Sequence, residues 1–317
     1  MKILFIAPRY SGGVGGHVVR LASKLRENGF QIKLMNVPKI PIKNLKNPSF
    51  ALFSMLGAVF SKEKYDVVHA FNIPSAFAMK FTNAGKKVLS VHGMYSEQID
   101  ALHSQIISSK VKSKESDVLR WADKLLTNSR NVQHAYKEKL GLDFDYMYGP
   151  IDVEKLKKIK EKPLKNEKQI VYIGRDSYEK GIDILKKNES KIEANVVYCV
   201  NLEWEEAMSI LKSSNVLVVP SRIDNIPNVI KEAFYLKIPV VATDIEGISE
   251  IITDNVNGIL VPSEDPEKLV TAVNQLLNDK EKAKKIAEGG YDFVMKNLTW
   301  EVLLSKYIKF YEDLINN

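Results

Sequence analysis

The sequence has a single cysteine in 317 residues, Cys199, so no disulfide can form within the chain. Its five histidines are scattered, and no Cys or His cluster has the spacing of a metal site. Neither GxGxxG nor GxxxxGK[ST] occurs, which removes most support for a nicotinamide site or a P-loop. Cys199 itself lies in the apolar run "ANVVYCV", where a buried strand is the expected setting.

Long hydrophobic runs are also missing. The longest apolar stretch, residues 50–60, is far shorter than the ~20 residues that a membrane-spanning helix needs. The start, "ILFIA", has too few apolar residues before Pro8 for a secretory signal, which needs about 7–15, so it predicts a first buried strand. We therefore expect a soluble, cytoplasmic protein, with contact at the cytoplasmic face of a membrane left open.

Charge is plentiful but unevenly placed. With 27% charged and 45% hydrophobic residues and a net charge of +7, the composition is typical of a folded globular protein. Residues 1–150 contain 22 Lys and Arg against 11 Asp and Glu, giving +11, whereas residues 151–317 contain 24 against 28, giving −4. The basic first half fits an anionic partner: nucleic acid, an acidic lipid or a phosphorylated acceptor.

Short apolar runs alternate with helical patterns along the chain, which predicts an α/β protein with parallel sheets built from βαβ units. The length suits two domains of ~150 residues each, and a Lys- and Glu-rich stretch near residue 150 is typical of a connector. We predict two Rossmann-like, doubly wound domains that face each other across a cleft. The predicted boundaries are residues 1–152, a linker at 153–168, residues 169–298, and a C-terminal helix at 299–317 that crosses back to the first domain.

Ten segments have the apolar character of buried strands: Ile3–Ala7, Gln31–Asn36, Val67–Ala70, Lys87–Val91, Leu125–Thr127, Ile170–Ile173, Ala194–Val200, Val216–Val219, Pro239–Ala242 and Gly258–Val261. Between the first two, apolar residues at helical spacing predict a helix that Gly29 ends. Three helical patterns with no strand after them close the chain. The last of them has an apolar stripe: Leu303, Leu304, Tyr307, Ile308 and Tyr311.

Four loops after predicted strands are candidate binding sites, because open α/β sheets bind ligands beyond the carboxyl ends of their strands. The first loop is rich in glycine: Gly12, Gly13, Gly15 and Gly16. These glycines would let the backbone approach a ligand closely, with a flexible turn as the alternative. The second loop contains His92, for which a functional and a structural role compete, and His69 has a similar position with a weaker claim.

The third loop places Arg175 and Lys180 near a helix start, as expected for a cationic clamp on phosphates, although two solvated basic residues would look the same. The fourth places Asp224 before a helix whose first position suits Pro227. Glu232 falls at the rim of that helix's apolar face. The two acids could bind different hydroxyls of one ligand. The alternatives are an ordinary exposed acid for Glu232 and a helix-dipole partner for Asp224.

Several stretches resemble the family 4 retaining glycosyltransferases of the GT-B fold, and together they span nearly the whole chain. The most specific, "PSRIDNIPNVIKEAFYLKIPVVATDIEGISEIITDNVNGILVPSEDPEKL", is similar to that family's donor-site signature and its sequel. "YIGRDSYEKGIDIL" is similar to its phosphate-binding segment. The stretches that resemble its acceptor-domain signposts and its final helix are "YSGGVGGHVVRLASKL", "YDVVHAFN", "VHG", "WADKLLTNS" and "LTWEVLLSKYIKFYEDLI".

The resemblance implies transfer of a hexosyl-type sugar from a UDP- or GDP-sugar, bound mainly by the second domain, to a lipid-linked, glycan or other hydroxyl acceptor. Arg175 and Lys180 would hold the diphosphate, Glu232 the ribose hydroxyls and Asp224 the transferred sugar. His92 would lie near the sugar's reacting face. Two backbone segments would complete the site: Asn225, Ile226, Pro227 and Asn228 beside the sugar, and a loop with Gly13, Gly15 and Gly16 over the phosphates.

The resemblance also implies retention of the anomeric configuration by front-face attack, in which the leaving phosphate receives the acceptor's proton. Such a reaction needs charge stabilisation on the leaving group more than a strong protein base. We therefore expect no metal and no tightly bound cofactor, only the nucleotide-sugar as co-substrate.

The chain departs from the family pattern in two places. Asp224 stands where the family normally has glutamate, and its shorter side chain changes the reach to the sugar. The segment "YMYGPIDVEKL" lacks the usual Pro-Asn-Gly order, although Ile151 and Asp152 remain. The chain is also short for the family, so we expect trimmed loops on the acceptor side.

The acceptor is indicated only weakly. Lys43 and Lys46 precede the apolar run of residues 50–60, which predicts either contact with a membrane surface or lipid acceptor, or a helix packed on the sheet. Two other functions stay open: a nucleotide-sugar epimerase or glycan phosphorylase of the same fold, and a non-catalytic nucleotide- or nucleic-acid-binding protein. Phosphorylases need a pyridoxal lysine and a longer chain. No nucleic-acid partner is expected, because zinc ligands, an RNP pattern and a basic recognition helix are missing.

Overall fold

The computed structural model describes residues 1–8, 12–38, 40, 42, 46–93, 115–162 and 168–316. The chain divides into two compact units, here called the first unit (Met1–Gly149 with the chain from Leu304 onward) and the second unit (Pro150–Leu303). Each unit is built on one parallel sheet covered by helices, so the predicted α/β class with two parallel-sheet domains is confirmed.

The first unit has a six-stranded parallel sheet in the order β2-β1-β3-β4-β5-β6. Its strands are β1 Lys2–Ile6, β2 Gln31–Leu34, β3 Tyr65–Phe71, β4 Ala84–Ser90, β5 Lys124–Thr127 and β6 Asp145–Tyr146. Its helices are α1 Gly12–Glu27, α2 Lys46–Phe60, α3 Ile73–Phe81 and α4 Arg130–Leu140. Residues 115–119 are also helical.

The second unit has a five-stranded parallel sheet in the order β11-β10-β9-β7-β8. Its strands are β7 Gln169–Ile173, β8 Asn195–Cys199, β9 Val216–Val219, β10 Val240–Asp244 and β11 Ile259–Pro262. Its helices are α5 Val153–Lys157, α6 Ile182–Asn188, α7 Trp204–Lys212, α8 Asn228–Tyr235, α9 Glu246–Ser249, α10 Pro266–Asn278 and α11 Lys280–Asn297. Short 3₁₀ turns lie at Tyr178–Lys180 and Glu189–Lys191.

All ten predicted strands are present, with ends that differ by a few residues. β6 was not predicted, because two residues without an apolar run have no strand signal; it forms by pairing with β5. The predicted helix α1 buries its apolar face, and Gly29 ends it with a φ of +85°. Cys199 is buried at the end of β8, and burial raises the pKa of its thiol to about 11.

The stretch predicted as a connector is partly structured. α5 lies within it, and Val153 and Leu156 of this helix are buried. Asp152 caps the helix by accepting a hydrogen bond from the Lys155 N–H at 3.0 Å. Residues 163–167 lie outside the described residues. None of the helices in the described ranges is both long enough and apolar enough to cross a bilayer.

The last helix, α12 (Trp300–Asn316), belongs to the first unit from Leu304 onward. Tyr311 is fully buried, and its hydroxyl lies 2.7 Å from Nδ1 of His69 in β3. The other ring nitrogen of His69 lies 2.6 Å from the Ser90 hydroxyl. Tyr307 donates to the carbonyl of Tyr148 at 3.0 Å. Of the apolar stripe predicted for this helix, Tyr307 and Tyr311 are thus buried within the first unit, whereas Leu304 and Ile308 are half-buried.

Candidate active site

The strand order of the second sheet places two loops side by side. β7 and β9 are hydrogen-bonded neighbours, although β8 lies between them in the sequence. A place where neighbouring strands are not consecutive in the sequence is a switch point of the sheet. Ligands of open parallel sheets bind at switch points, beyond the carboxyl ends of the two strands. Here these ends lead into residues 174–181 and residues 220–227. These two loops contain the predicted Arg175, Lys180 and Asp224.

Gly181 is the point where the two loops touch. Its φ is +63°, in the left-handed region, and a Cβ at this position would lie only 1.9 Å from the carbonyl oxygen of Pro220. Only glycine fits both conditions. The close approach holds the beginning of the loop that carries Asp224 against the turn that ends in Lys180.

Lys180 and Asp224 form an ion pair across the two loops. Lys180 Nζ lies 2.5 Å from Asp224 Oδ2, and the two side chains are 22% and 13% exposed. The Ser221 hydroxyl donates to the same carboxylate oxygen at 3.3 Å, and the Asn225 N–H donates to the other at 2.9 Å. Both oxygens of Asp224 are thus engaged within the site. The structure brings the predicted phosphate-binding cation and the predicted sugar-binding acid together.

Arg175 lies at the outer side of the same loop. Its side chain is 70% exposed, and Nη2 lies 3.0 Å from Glu179 Oε1. The hydroxyl of Tyr172, in β7, donates to the Arg175 carbonyl oxygen at 2.6 Å and fixes the backbone at this position. The backbone of Arg175 is therefore fixed, while its guanidinium is accessible to a ligand.

Arg222 ties the two loops together and was not identified from the sequence. Its side chain is 10% exposed, and its guanidinium donates to both carboxylate oxygens of Asp183, at 2.6 and 2.9 Å. It also donates to Glu264 and, at 2.8 Å, to the carbonyl oxygen of Tyr178. The Arg222 hydrogen bond lowers the pKa of Asp183. These partners lie 39 to 44 positions away, so no local pattern could have indicated them.

The loop leading into α8 is packed from behind by Gly247 in α9. A Cβ there would lie 2.5 Å from the carbonyl oxygens of Asp224 and Asn225. Ile226 and Pro227 are buried, and Asn228 is exposed as the first residue of α8. The prediction that Pro227 takes the first helical position is wrong by one residue. Its ψ of 126° makes it the N-cap, and the helix starts after it.

Glu232 lies in the second turn of α8 and is half-buried, as its predicted position at the rim of the apolar face requires. Its Oε1 accepts a hydrogen bond of 2.8 Å from Nε1 of Trp204, the first residue of α7. The neighbouring Lys231 is 2% exposed, which the apolar periodicity of α8 did not predict. Trp204 was not identified from the sequence, since it follows an unremarkable polar loop.

In the first unit, the glycine-rich segment is helical. α1 begins at Gly12, so Gly13, Gly15 and Gly16 lie within its first turns and do not form the predicted loop. At Gly16, a Cβ would meet only the flexible end of Arg20, at 3.2 Å. The expected glycine-rich loop and its alternative, a flexible turn, are therefore both corrected to a glycine-rich helix start that follows β1.

His92 and His69 have different settings in the first unit. His92 follows the carboxyl end of β4 and is half-buried. His69 lies inside β3 and is fully buried between Ser90 and Tyr311. It is therefore part of the core of the first unit, and the weaker prediction of a binding role for it is corrected. Burial, and then the charge of His92, keep the pKa of His69 well below its usual range. Residues 94–114, which follow the "VHG" stretch, lie outside the described residues.

Within the part of the chain that the structure describes, no group of three or more His, Cys, Asp or Glu side chains is arranged to hold a metal ion. The two loops at the switch point contain the cations Arg175 and Lys180 and the acid Asp224, and the N-terminal amides of α8 follow them. Glu232 lies one turn further along α8. Such a set is suited to a ligand with phosphate groups and several hydroxyls.

Comparison with known proteins identifies relatives of both halves. The family model described as Glycosyltransferase Family 4 matches residues 11–155, and the model described as Glycosyl transferases group 1 matches residues 187–293. An uncharacterized glycosyltransferase of Methanocaldococcus jannaschii is 24% identical over 365 aligned positions, covering 99% of each chain.

Solved structures share the fold. A sucrose-phosphate synthase from Thermosynechococcus elongatus superimposes with a TM-score of 0.82 at 17% identity, covering 100% of this chain and 99% of the other. HepE from Anabaena, in complex with UDP and glucose, gives a TM-score of 0.76 at 17% identity, covering 99% and 100%.

Proposed function

Because the chain is a glycosyltransferase of the GT-B fold and the family 4 type, we propose that it moves a hexosyl-type sugar from a UDP- or GDP-sugar to a hydroxyl acceptor with retention of the anomeric configuration. The observation that carries this proposal is the Lys180–Asp224 pair at the switch point of the second sheet, with Glu232 on the helix that follows. The presence of UDP or UDP-glucose in the Anabaena HepE structures supports a uridine nucleotide as the first candidate.

Charge stabilisation of the leaving diphosphate is the main chemical task of the site. Lys180 and the exposed guanidinium of Arg175 supply positive charge, and the N–H groups at the start of α8 supply donors. The bond between the sugar's anomeric carbon and the phosphate oxygen breaks, and the acceptor oxygen bonds to that carbon from the same face. The acceptor's proton passes to the departing phosphate oxygen. These reaction steps require neither a metal nor a bound cofactor.

Donor binding and the Lys180–Asp224 pair are coupled in this proposal. In the structure, the ammonium of Lys180 contacts the carboxylate of Asp224 at 2.5 Å. A diphosphate at the α8 N-terminus competes for the same ammonium, because it presents more negative charge. When Lys180 turns to the phosphate, Asp224 Oδ2 becomes available to accept a sugar hydroxyl. Donor binding thus prepares the sugar-binding acid.

The test of the donor proposal is titration calorimetry with UDP and GDP, followed by turnover of the matching nucleotide-sugars. We expect saturable binding of one nucleoside diphosphate. Glu232→Gln is expected to weaken it about tenfold or more, since the ribose hydroxyls lose a charged acceptor. Glu281→Gln, on the exposed start of α11, is the control and should bind like the wild type.

Absence of binding by any nucleoside diphosphate would contradict the donor proposal. Equal loss of affinity in Glu232→Gln and Glu281→Gln would remove Glu232 from the site. A nucleotide-sugar that is consumed with release of an epimerised or free sugar, in the absence of any acceptor, would favour an epimerase.

For the acceptor, we propose a lipid-linked substrate reached at the cytoplasmic face of an anionic membrane. Support comes from α2, which has no charged residue between Asn47 and Phe60. It buries Phe50, Ser54 and Ala58, yet leaves an apolar stripe exposed on another side: Leu52 at 50%, Leu56 at 40%, Val59 at 51% and Phe60 at 79%. An apolar stripe in a half of the chain with a charge of +11 suits a surface that is apolar beneath an anionic layer.

Sedimentation with vesicles tests this surface. Wild-type protein is expected to bind vesicles that contain phosphatidylglycerol and to bind pure phosphatidylcholine weakly. The double variant Leu52→Glu/Val59→Glu should lose about tenfold or more in partitioning, because charges on the stripe oppose insertion. Val256→Glu, which alters an equally exposed apolar residue of the second unit, is the control. Failure of the wild type to sediment with anionic vesicles would contradict the membrane proposal and leave the donor proposal intact.

A further inference from the structure

The hydrogen bond between Trp204 and Glu232 joins two helices at the proposed donor site. Trp204 opens α7, beyond the carboxyl end of β8, and Glu232 lies in the second turn of α8. Nε1 of the indole donates to Oε1 of the carboxylate at 2.8 Å. The indole N–H can only donate, so its hydrogen-bond partner must be an acceptor. One oxygen of Glu232 therefore has a fixed direction.

The indole is itself held in place. Lys155 Nζ, from α5, lies 4.0 Å from the centroid of the ring. The same ammonium contacts Glu205 Oε1 at 2.8 Å, on the residue next to Trp204. A cation over the face of a tryptophan is attracted by the ring's electrons. Lys155 and Glu205 thus restrain the plane of the indole and the direction of its N–H.

A ribose bound through its 2′- and 3′-hydroxyls needs acceptors that keep a constant orientation. A glutamate side chain rotates freely about its terminal bond unless a donor fixes it. We propose, on the basis of the proposed donor site, that Trp204 is a positioning residue: its indole N–H holds the Glu232 carboxylate in the orientation that accepts both ribose hydroxyls, and so determines the preference for ribonucleotides. Trp204 need not touch the nucleotide to do this.

A purely structural Trp204 would instead attach α7 to α8, and its loss would weaken binding of all nucleotides equally. The two roles differ in one measurable ratio, the affinity for a nucleoside diphosphate divided by that for its 2′-deoxy form. Removing the orienting N–H lowers this ratio. Loosening the helices leaves it unchanged.

The experiment compares UDP with 2′-deoxy-UDP, and GDP with 2′-deoxy-GDP, by calorimetry. Trp204→Phe keeps an aromatic ring under Lys155 but has no N–H. Trp121→Phe is the matched control, since Lys80 Nζ lies 4.1 Å from the Trp121 ring centroid in the first unit. We expect Trp204→Phe to weaken binding of the ribonucleotide about tenfold, the equivalent of one charge-assisted hydrogen bond. The ribo-to-deoxy ratio should fall as well, by a smaller factor, because the 2′-deoxy form also loses the oriented acceptor of its 3′-hydroxyl. Trp121→Phe should leave both values unchanged.

The outcomes separate this inference from the proposed function. If the wild type binds neither nucleotide pair, the donor proposal fails and the role of Trp204 fails with it. If Glu232→Gln lowers the ribo-to-deoxy ratio but a folded Trp204→Phe does not, only the role of Trp204 is overturned. If Glu232→Gln and Trp204→Phe lower the ribo-to-deoxy ratio equally, the positioning role of Trp204 is supported.

A measurement on the wild type avoids dependence on a variant that fails to fold. The chain has three tryptophans, so ¹⁵N-labelled indoles give three N–H signals, which Trp121→Phe and Trp300→Phe assign by elimination. Addition of the bound ribonucleotide should move the Trp204 signal, and the 2′-deoxy form should move it less. A Trp204 signal that stays in place at saturation would overturn the inference.

Discussion

Gly181→Ala is expected to lower the free energy of unfolding of the second unit by about 2–5 kcal/mol, from strain in the left-handed region and overpacking. The φ at Gly181 is +63°, and an alanine Cβ would lie 1.9 Å from the Pro220 carbonyl oxygen. Neither atom belongs to a flexible side chain, so the two loops must move apart. Separation of these loops also breaks the Lys180–Asp224 pair, and we expect nucleotide binding to be lost with stability. Denaturant unfolding followed by circular dichroism, with calorimetry on the folded fraction, measures both.

Gly141→Ala provides a matched control for that substitution. Gly141 has nearly the same backbone angle, a φ of +64°, at the end of α4, but no heavy atom lies within 4 Å of the place that an alanine Cβ would take. Its replacement introduces only the left-handed strain, about 1–2 kcal/mol. Similar losses for the two variants would show that the contact with Pro220 is unimportant and that conformation alone requires glycine at position 181.

Lys180→Met is expected to lower kcat/KM for the nucleotide-sugar about 100- to 1,000-fold, the usual cost of removing one group that stabilises charge in the transition state. Methionine keeps most of the side chain's volume, so folding should persist. The variant also leaves Asp224 without its cation at 2.5 Å, which places an unbalanced negative charge where the diphosphate binds. The loss should therefore appear in nucleotide affinity as well as in turnover.

Lys187→Met controls for loss of charge. Lys187 lies on α6, seven positions further along, and its side chain is 77% exposed, 3.9 Å from Asp183. We expect kcat/KM to stay within about twofold of the wild type, because exposed charges are screened by solvent. Steady-state kinetics with both variants at one ionic strength is the measurement. A Lys180→Met enzyme as active as Lys187→Met would exclude Lys180 from the reaction.

Local sequence patterns predicted the elements and the loops of the site well. The apolar runs of β7 and β9 and the polar loops after them could be recognised directly, because strand propensity and turn chemistry act over a few residues. The same reasoning placed Asp224 before a helix and Glu232 on its rim. It failed for the glycines of α1, where a pattern typical of a loop forms helix instead, since tertiary packing overrides a weak propensity.

Contacts between distant residues could not be predicted in this way. Arg222 has its partners 39 to 44 positions away, and Trp204 reaches Glu232 across 28 positions. Gly247 supports the loop of Asp224 from another helix. In each case the neighbouring sequence gives no local signal of the contact. The role of each residue depends on which loop the sheet places next to it.

The amino-acid sequence by itself determined the class of fold, the order of strands and helices, and the residue types available at each strand end, because these follow from short-range periodicity and turn chemistry. Only the tertiary structure decided which of these residues meet. The parallel order β11-β10-β9-β7-β8 brings together loops that are distant along the chain. It thereby pairs Lys180 with Asp224 and directs Trp204 at Glu232, since hydrogen bonds and ion pairs form only over distances that the folded sheet sets.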